Sequence, residues 1–386
     1  MAEETRSGID EVISHFAALE DPRSEVNRRH PLVSVVLIAL MGVLAGAAGP
    51  TAIARWACMN EDWLKGLLPL PHGVPRKDVF RRVLAALNPE AFQACYRNWL
   101  ESLRAKAAAA TGIEQPVLAV DGKTCRRSHD AKKGLGALHS VSVWASPYGL
   151  SLAQVATEEK SNEITAIPLV LKLVDLRGAI VTIDAMGTQT AIAEQIVDGG
   201  ADYVLALKGN QETLHEAVME YVNEGMAHEF AGCGARRHTT REKGHGREEV
   251  RHYVQMPVPE HLAGAARWKG LRTIGVAMLT CLRHGKETMD VRYFISSLPM
   301  GVRRFAHAVR SHWGIENTCH WSLDFTYRED ESRLREQHLR ENFAWLNRFT
   351  LSLLKQHPGK GSLIMKRRSC GWNNDFLLQT LTGTGS

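Results

Sequence analysis

Residues 116–123 read Pro-Val-Leu-Ala-Val-Asp-Gly-Lys, and residues 179–187 read Ala-Ile-Val-Thr-Ile-Asp-Ala-Met-Gly. In both, an apolar run of strand length ends on an aspartate with a glycine close behind, which predicts a short buried strand carrying a carboxylate at its mouth. Between them, residues 140–146 and 150–157 alternate apolar and small polar side chains around the turn Ser146-Pro147-Tyr148-Gly149, so three strands are expected to meander antiparallel. Helical spacing follows at 164–174, then a strand at 179–183, a helix at 190–198, a strand at 203–207 and a helix at 211–222. The order β-β-β-α-β-α-β-α predicts an α/β fold: a mixed sheet with helices on its faces.

On the amino-terminal side, residues 1–112 read as a helical domain, with helices expected at 9–19, 32–48, 52–67, 79–87 and 92–110, punctuated by Pro22, Gly49-Pro50 and Asn88-Pro89. Arg28, Arg29, Arg55, Arg76, Lys77, Arg81 and Arg82 give it cations that could touch phosphates, although a solvated face is the commoner reason for such charges. The core thus begins at 113 and its first part runs to 227. Residues 228–300 form a β-rich insertion, with strands at 248–254, 271–283 and 288–296 and a basic loop, Arg-Arg-His-Thr-Thr-Arg-Glu-Lys-Gly-His-Gly-Arg, at 236–247. Residues 301–386 return to helix, continuous from Val302 to about 354, before a tail containing Lys366-Arg367-Arg368.

The 386 residues are enough for two to three domains, and 44% hydrophobic with 23% charged residues is ordinary globular composition, excluding collagenous and disordered chains. A formal charge of +5 suits a polyanionic partner without requiring one. Seven scattered cysteines with no Cys-x-x-Cys pair argue against a disulfide framework or zinc ribbon and point to a reducing cytosol. The start, Met-Ala-Glu-Glu-Thr-Arg, lacks the pattern of an export leader. The apolar run at 32–49 approaches bilayer length, but its Ala and Gly content and its Gly-Pro end fit a helix buried among helices, so no membrane partner is expected.

Alone, Asp121 or Asp184 reads as a turn former or cap. Together in one sheet, on first and fourth strands that this order can place side by side, two carboxylates repel unless a cation intervenes. Hard oxygen donors without clustered Cys favour Mg2+ or Mn2+ over zinc. Residues 310–330, RSHWGIENTCHWSLDFTYRED, supply a third acid: on a helix His312, Glu316, His320 and Asp324 recur every fourth position as one polar stripe, bracketed by Trp313, Trp321, Phe325 and Tyr327 as if lining a cleft. The stripe also permits zinc through His312, Glu316 and His320, though successive turns present side chains in a row rather than as a tetrahedral cage. Lys123, Arg126, Arg127, Lys132 and Lys133 follow the first Asp, Lys208 follows the fifth strand, and Arg236, Arg237, Arg241, Lys243, Arg247 and Arg251 cluster in the insertion; each is a solvated charge or a phosphate contact. Lys208, Asn210 and Gln211 are placed to orient a phosphate or a flipped base, and Trp313 or Trp321 to stack on one or to pack in the core.

The DGK at Asp121, TIDAMG around Asp184, ADYVLALKGNQ from Ala201, HGREEVR from His245 and HWGIENTCHWSLDFTYRED from His312, together with DPR at Asp21 and VFRRVL from Val79, resemble the H-repeat-associated branch of insertion-sequence DDE transposases, cut-and-paste enzymes with a ribonuclease-H-like core. The resemblance spans almost the whole chain. It implies that Asp121, Asp184 and Glu316 are the catalytic, metal-binding triad holding two divalent ions, Mg2+ or Mn2+. It implies cleavage at the ends of an element followed by strand transfer into target DNA. The partners it implies are double-stranded DNA, both terminal inverted repeats and target, and a second copy of the chain in a synaptic homodimer. The cytoplasm, on the nucleoid when DNA is bound, is the place it implies. A nuclease that cuts without joining, or a catalytically inactive DNA-binding descendant, shares most of these motifs. In related enzymes a Tyr, an Arg and a Lys flank the catalytic Glu; the corresponding positions here are Val309, His312 and Leu323. Those roles are not carried over, and Arg310, His312, Trp313, His320 and Arg328 are DNA contacts by charge and position alone.

Overall fold

The computed structural model describes residues 3–113, 115–157, 163–244 and 246–383. Six helices open the chain: α1 (Glu3–Ser14), α2 (Leu32–Leu44), α3 (Pro50–Met59), α4 (Glu61–Leu67), α5 (Lys77–Ala86) and α6 (Pro89–Thr111). The apolar run forms α2, buried on every side, and among the described residues no helix is long and apolar enough to cross a membrane.

The core then follows the expected order: β1 (Val117–Cys125), β2 (Leu138–Ala145), β3 (Leu150–Thr157), α7 (Glu163–Leu171), β4 (Ile180–Ile183), α8 (Thr190–Asp198), β5 (Asp202–Leu207) and α9 (Glu212–Ala227). β1 pairs antiparallel with β2 and parallel with β4, Val120 standing opposite Ile183, so Asp121 and Asp184 follow adjacent paired positions at one edge of the sheet. β3 closes the opposite side. Its free edge is capped by Gln93, whose amide donates to Gln154 O at 3.0 Å and accepts from Gln154 N at 2.7 Å, as a neighbouring strand would.

Four more strands, β6 (Arg236–Gly244), β7 (Arg247–Pro257), β8 (Thr273–Arg283) and β9 (Lys286–Ser296), continue this sheet instead of forming their own, because β9 pairs antiparallel with β5. The result is one nine-stranded sheet in the order β3-β2-β1-β4-β5-β9-β8-β7-β6. The basic stretch expected as a loop is largely strand β6, paired with β7 from Arg236↔Gln255 to Gly244↔Arg247. Both faces of this edge strand carry polar or charged side chains, so no apolar alternation marks it. His245 lies outside the described residues.

The long carboxy-terminal helix expected from Val302 is interrupted. α10 (Val302–Gly314) passes into a π-helical turn (Ile315–His320) and then α11 (Trp321–Phe325); after a reversal come α12 (Gln337–Gln356), α13 (Leu363–Trp372) and α14 (Asn374–Thr382). Apolar side chains of α1–α6 and of α12–α14 share one core, which also reaches Ile315, Cys319 and Leu323. The helices at the two ends of the sequence therefore form a single support behind the residues that carry Glu316.

Candidate active site

Asp121 stands on β1 with its Oδ1 accepting from Gly122 N at 2.8 Å. Asp184 follows β4, and its Oδ1 accepts from Met186 N at 3.1 Å and Gly187 N at 3.3 Å, which fixes the carboxylate at the strand's mouth. Glu316 is exposed in the first turn of the π segment. Burial, and then the charges of Glu316, Asp184 and Glu163, push the Asp121 carboxyl up to about 7. Asp184 and Glu316 thus both lie within electrostatic reach of Asp121.

Three positions of the 312–324 stripe meet side chains of β1 and β4. His312 Nδ1 lies 3.0 Å from Thr182 Oγ1 on β4, His320 Nδ1 lies 3.6 Å from Asp121 Oδ2, and Asp324 accepts from Lys123 Nζ at 2.6 Å. In a regular α-helix each step of four residues overshoots a full turn by about 40°, so His312 and Asp324 would diverge by about 120°. The π turn, closed by i→i+5 bonds and holding more residues per turn, takes back part of that drift and keeps the stripe on the sheet. His312 and His320 point to different strands, so they offer no shared zinc cage. Burial draws His312 down to about 4; burial, with the charges of Arg348 and Lys123 behind it, draws His320 down to about 3. Burial thus favours the neutral form of both rings, and His312 is engaged with Thr182, so any contact they make with DNA would be as neutral groups.

Among the described residues, no Lys or Arg nitrogen comes within 4.0 Å of Asp121, Asp184 or Glu316, and His320 Nε2 is buried without a hydrogen-bond partner. No three Asp, Glu, His or Cys side chains of the described residues stand in a closed ligating group as they are. The donor set is nonetheless all oxygen and lacks a protein counter-cation, which fits hard divalent ions.

Glu163, at the start of α7, escaped the sequence reading. It is buried, its Oε1 lies 2.7 Å from His139 Nε2 but out of line for a hydrogen bond, and His139 Nδ1 is 2.7 Å from Thr124 Oγ1. The pair occupies the space a side chain at Gly122 would fill: a Cβ there would sit 2.6 Å from His139 Nε2 and 2.7 Å from Glu163 Cδ. Since neither buried partner can move without breaking the pair, Gly122→Ala is expected to cost about 1–3 kcal/mol of stability, read from urea unfolding.

The sequence profile described as "Transposase DDE domain" matches residues 112–354, and the one described as "DDE_Tnp_1-associated" matches 13–100. The chain belongs to the DDE transposase family. The H repeat-associated protein YhhI of Escherichia coli K12 is 33% identical over 98% of this chain and 99% of its own length. YncI of Escherichia coli O157:H7, a transposase by name, is 35% identical over 97% of this chain and 95% of its own. The cryo-EM structure of the piggyBac transposase synaptic complex with hairpin DNA matches at a TM-score of 0.42 and 12% identity, covering 99% of this chain and 79% of that one, too loose for one arrangement to be read from the other.

Two cavities flank α10 of this DDE-family chain. One, of about 380 Å³, is lined by Asp184, Lys208, His215, Arg292, His312 and Trp313. The other, of about 810 Å³, lies between β6–β9 and α10, where Lys243, Arg247, Arg251, Arg292 and Arg310 face Glu242, Glu249 and Asp290. Trp313 lines both, with the Arg292 guanidinium 4.2 Å over its ring. Arg310 pairs with Glu242 at 3.2 Å and Arg247 with Glu249 at 3.0 Å.

Other expected DNA contacts are differently placed. Lys123 is buried among carboxylates rather than presented to solvent, which corrects its assignment as an open phosphate contact. The Asn210 amide is committed to Ala185 O at 2.7 Å, so it braces the loop after Asp184. Arg126 is exposed and pairs with Asp330 at 3.2 Å; Arg127 and Lys208 are exposed; Arg328 pairs with Glu331. Trp321 stacks on Phe325 with centroids 4.6 Å apart, both more than half exposed, and so stands outside the core. In the tail, Arg367 is buried, donating to Val43 O and Thr326 O and covering the Tyr327 ring.

Proposed function

We propose that this chain is an active DNA transposase of ribonuclease-H-like design that cuts DNA at the ends of an insertion sequence and joins the freed ends to target DNA. What supports this reading is the pairing of β1 with β4, which sets Asp121 and Asp184 on neighbouring strands, together with the charges of Glu316 and Asp184 acting on Asp121 where no Lys or Arg of the described residues pairs with it. Those three would hold two divalent ions, Mg2+ or Mn2+. Such ions, when bound, ease deprotonation of an attacking water or 3′-hydroxyl and stabilise the departing oxygen. The middle of β1 fixes Asp121 and the turn after β4 fixes Asp184, while exposed Glu316 would complete the set from the helix side. His320, neutral beside Asp121, adds no competing positive charge.

The cation-lined groove between β6–β9 and α10 leads to the same edge through Trp313, and it supports a path for a DNA strand. Phosphates there would take over the guanidiniums now shared with Glu242 and Glu249. Two copies would bring the two element ends together, in the bacterial cytoplasm on the nucleoid.

The test is an assay of the full chain on duplexes carrying the ends of its own element, with Mg2+ and a supercoiled target plasmid. Cleaved 3′ ends followed by joined products are expected. Cleavage that never yields joined products would leave a nuclease, and salt-sensitive binding without cutting would leave an inactive descendant; either result overturns the proposal.

A further inference from the structure

We infer that Lys123 is a positioning residue whose buried ammonium, gripping Asp324, sets where the α10–π–α11 helix lies along β1 and so holds Glu316 against Asp121. The inference rests on the reading of Asp121, Asp184 and Glu316 as the ion-binding set. Lys123 is only 6% exposed, and its Nζ lies 2.6 Å from Asp324 Oδ1, 3.3 Å from Asp330 Oδ1 and 3.8 Å from Glu329 Oε2. It stands two residues after Asp121, on the same face of β1. Asp324 stands two helical steps after Glu316 on the stripe that faces the sheet. The bond therefore ties the strand that carries one acid to the helix that carries another.

At the far end of the stripe, His312 meets Thr182 on β4 at 3.0 Å. Between these two attachments lies the π turn that contains Glu316. A π turn trades normal i→i+4 bonds for wider ones and persists where surrounding contacts hold it. Released at Asp324, the segment is free to return to α-helical winding, which rotates Glu316 relative to His312 and separates the carboxylates. Asp330 adds a second tie, accepting from Arg126 N at 3.4 Å and pairing with the Arg126 guanidinium at 3.2 Å, so the reversal after α11 is also fastened to β1.

The test uses Mn2+ affinity, read from the EPR signal of free Mn2+ with the full chain, alongside kcat and KM for an element-end duplex. Asp324 is partly exposed and Lys123 keeps Asp330 and Glu329, so Asp324→Asn is expected to fold with only a small loss of Tm. It should bind Mn2+ about tenfold more weakly, as loss of a group that orients an ion ligand typically does, and should lower kcat with KM unchanged. Asp324→Glu, which can still reach Lys123, should recover both. Glu331→Gln removes an equal charge nearby, from a residue bonded to Arg328 and not to Lys123, and should leave Mn2+ affinity unchanged. Wild-type affinity in Asp324→Asn, or an equal loss in Glu331→Gln, overturns the inference. Lys123→Met should repeat the loss; should it fail to fold, Asp324→Asn decides. Asp121→Ala is the separate control: Mn2+ binding and cutting at wild-type level in that variant would remove the carboxylate site itself, whereas their loss there with intact binding in Asp324→Asn removes only the role given to Lys123.

Discussion

Glu316→Ala should lower metal-dependent end cleavage by about a thousandfold, equivalent to about 4 kcal/mol of transition-state stabilisation, while leaving the affinity for an element-end duplex within about twofold. The separation of the two effects follows from where Glu316 stands. It is exposed, takes part in no ion pair among the described residues and lines neither of the two cavities, so its removal opens no void and frees no buried partner. The cations proposed for DNA lie instead along the groove, Lys243, Arg247, Arg251 and Arg292 on β6–β9 and Arg310 on α10. The substitution also removes one of the charges acting on Asp121, so the variant should be no less stable than the parent in the absence of divalent ions. Single-turnover cleavage and filter binding, with thermal unfolding as the check on folding, measure all three. Cleavage within tenfold of the parent would show that Glu316 is not an ion ligand. A parallel loss of DNA affinity would show that it acts in binding instead.

What could be read from the sequence, and what could not, divides along physical lines. Asp121 and Asp184 were legible because each ends an apolar run, and strand order alone allowed β1 and β4 to be neighbours. Glu316 was legible as part of a four-residue rhythm, but the π turn beneath that rhythm was not, since nothing in Ile315–His320 distinguishes i→i+5 from i→i+4 bonding. β6 was hidden for a different reason: a strand with charges on both faces has no hydrophobic period. Lys123 looked like a surface cation because its three carboxylate partners lie about 200 positions away, and burial of a paired charge leaves no local mark. Glu163 was invisible in the same way, although Gly122 was a clue, since a glycine inside a buried strand, beside Asp121, signals that something approaches the backbone closely.

Arg348→Met should destabilise the fold by about 3 kcal/mol, the lower part of the range for breaking a buried ion pair from one side. Arg348 lies on α12 and is fully buried; its Nη1 is 3.2 Å from Glu329 Oε1 and its Nη2 donates to Ser140 Oγ at 3.1 Å. Glu329 is equally shut away, so methionine, which fills much the same volume, would leave its carboxylate without its principal partner. The loss stops short of the full penalty because Lys123 Nζ stays 3.8 Å from Glu329 Oε2 and Asn347 Nδ2 reaches Oε1 at 3.4 Å. Adding Glu329→Gln should therefore return part of the stability, since a neutral amide tolerates the site that a lone carboxylate does not. If instead the double variant is less stable than the single one, Glu329 is held mainly by Lys123, and the contact between α12 and the segment after α11 matters less than its burial suggests. Urea unfolding of the parent, both single variants and the double variant closes the cycle and isolates the coupling between the two residues. A coupling near zero would mean that Arg348 is kept for its bond to β2 through Ser140, and that the support behind the helix carrying Glu316 is apolar packing rather than charge.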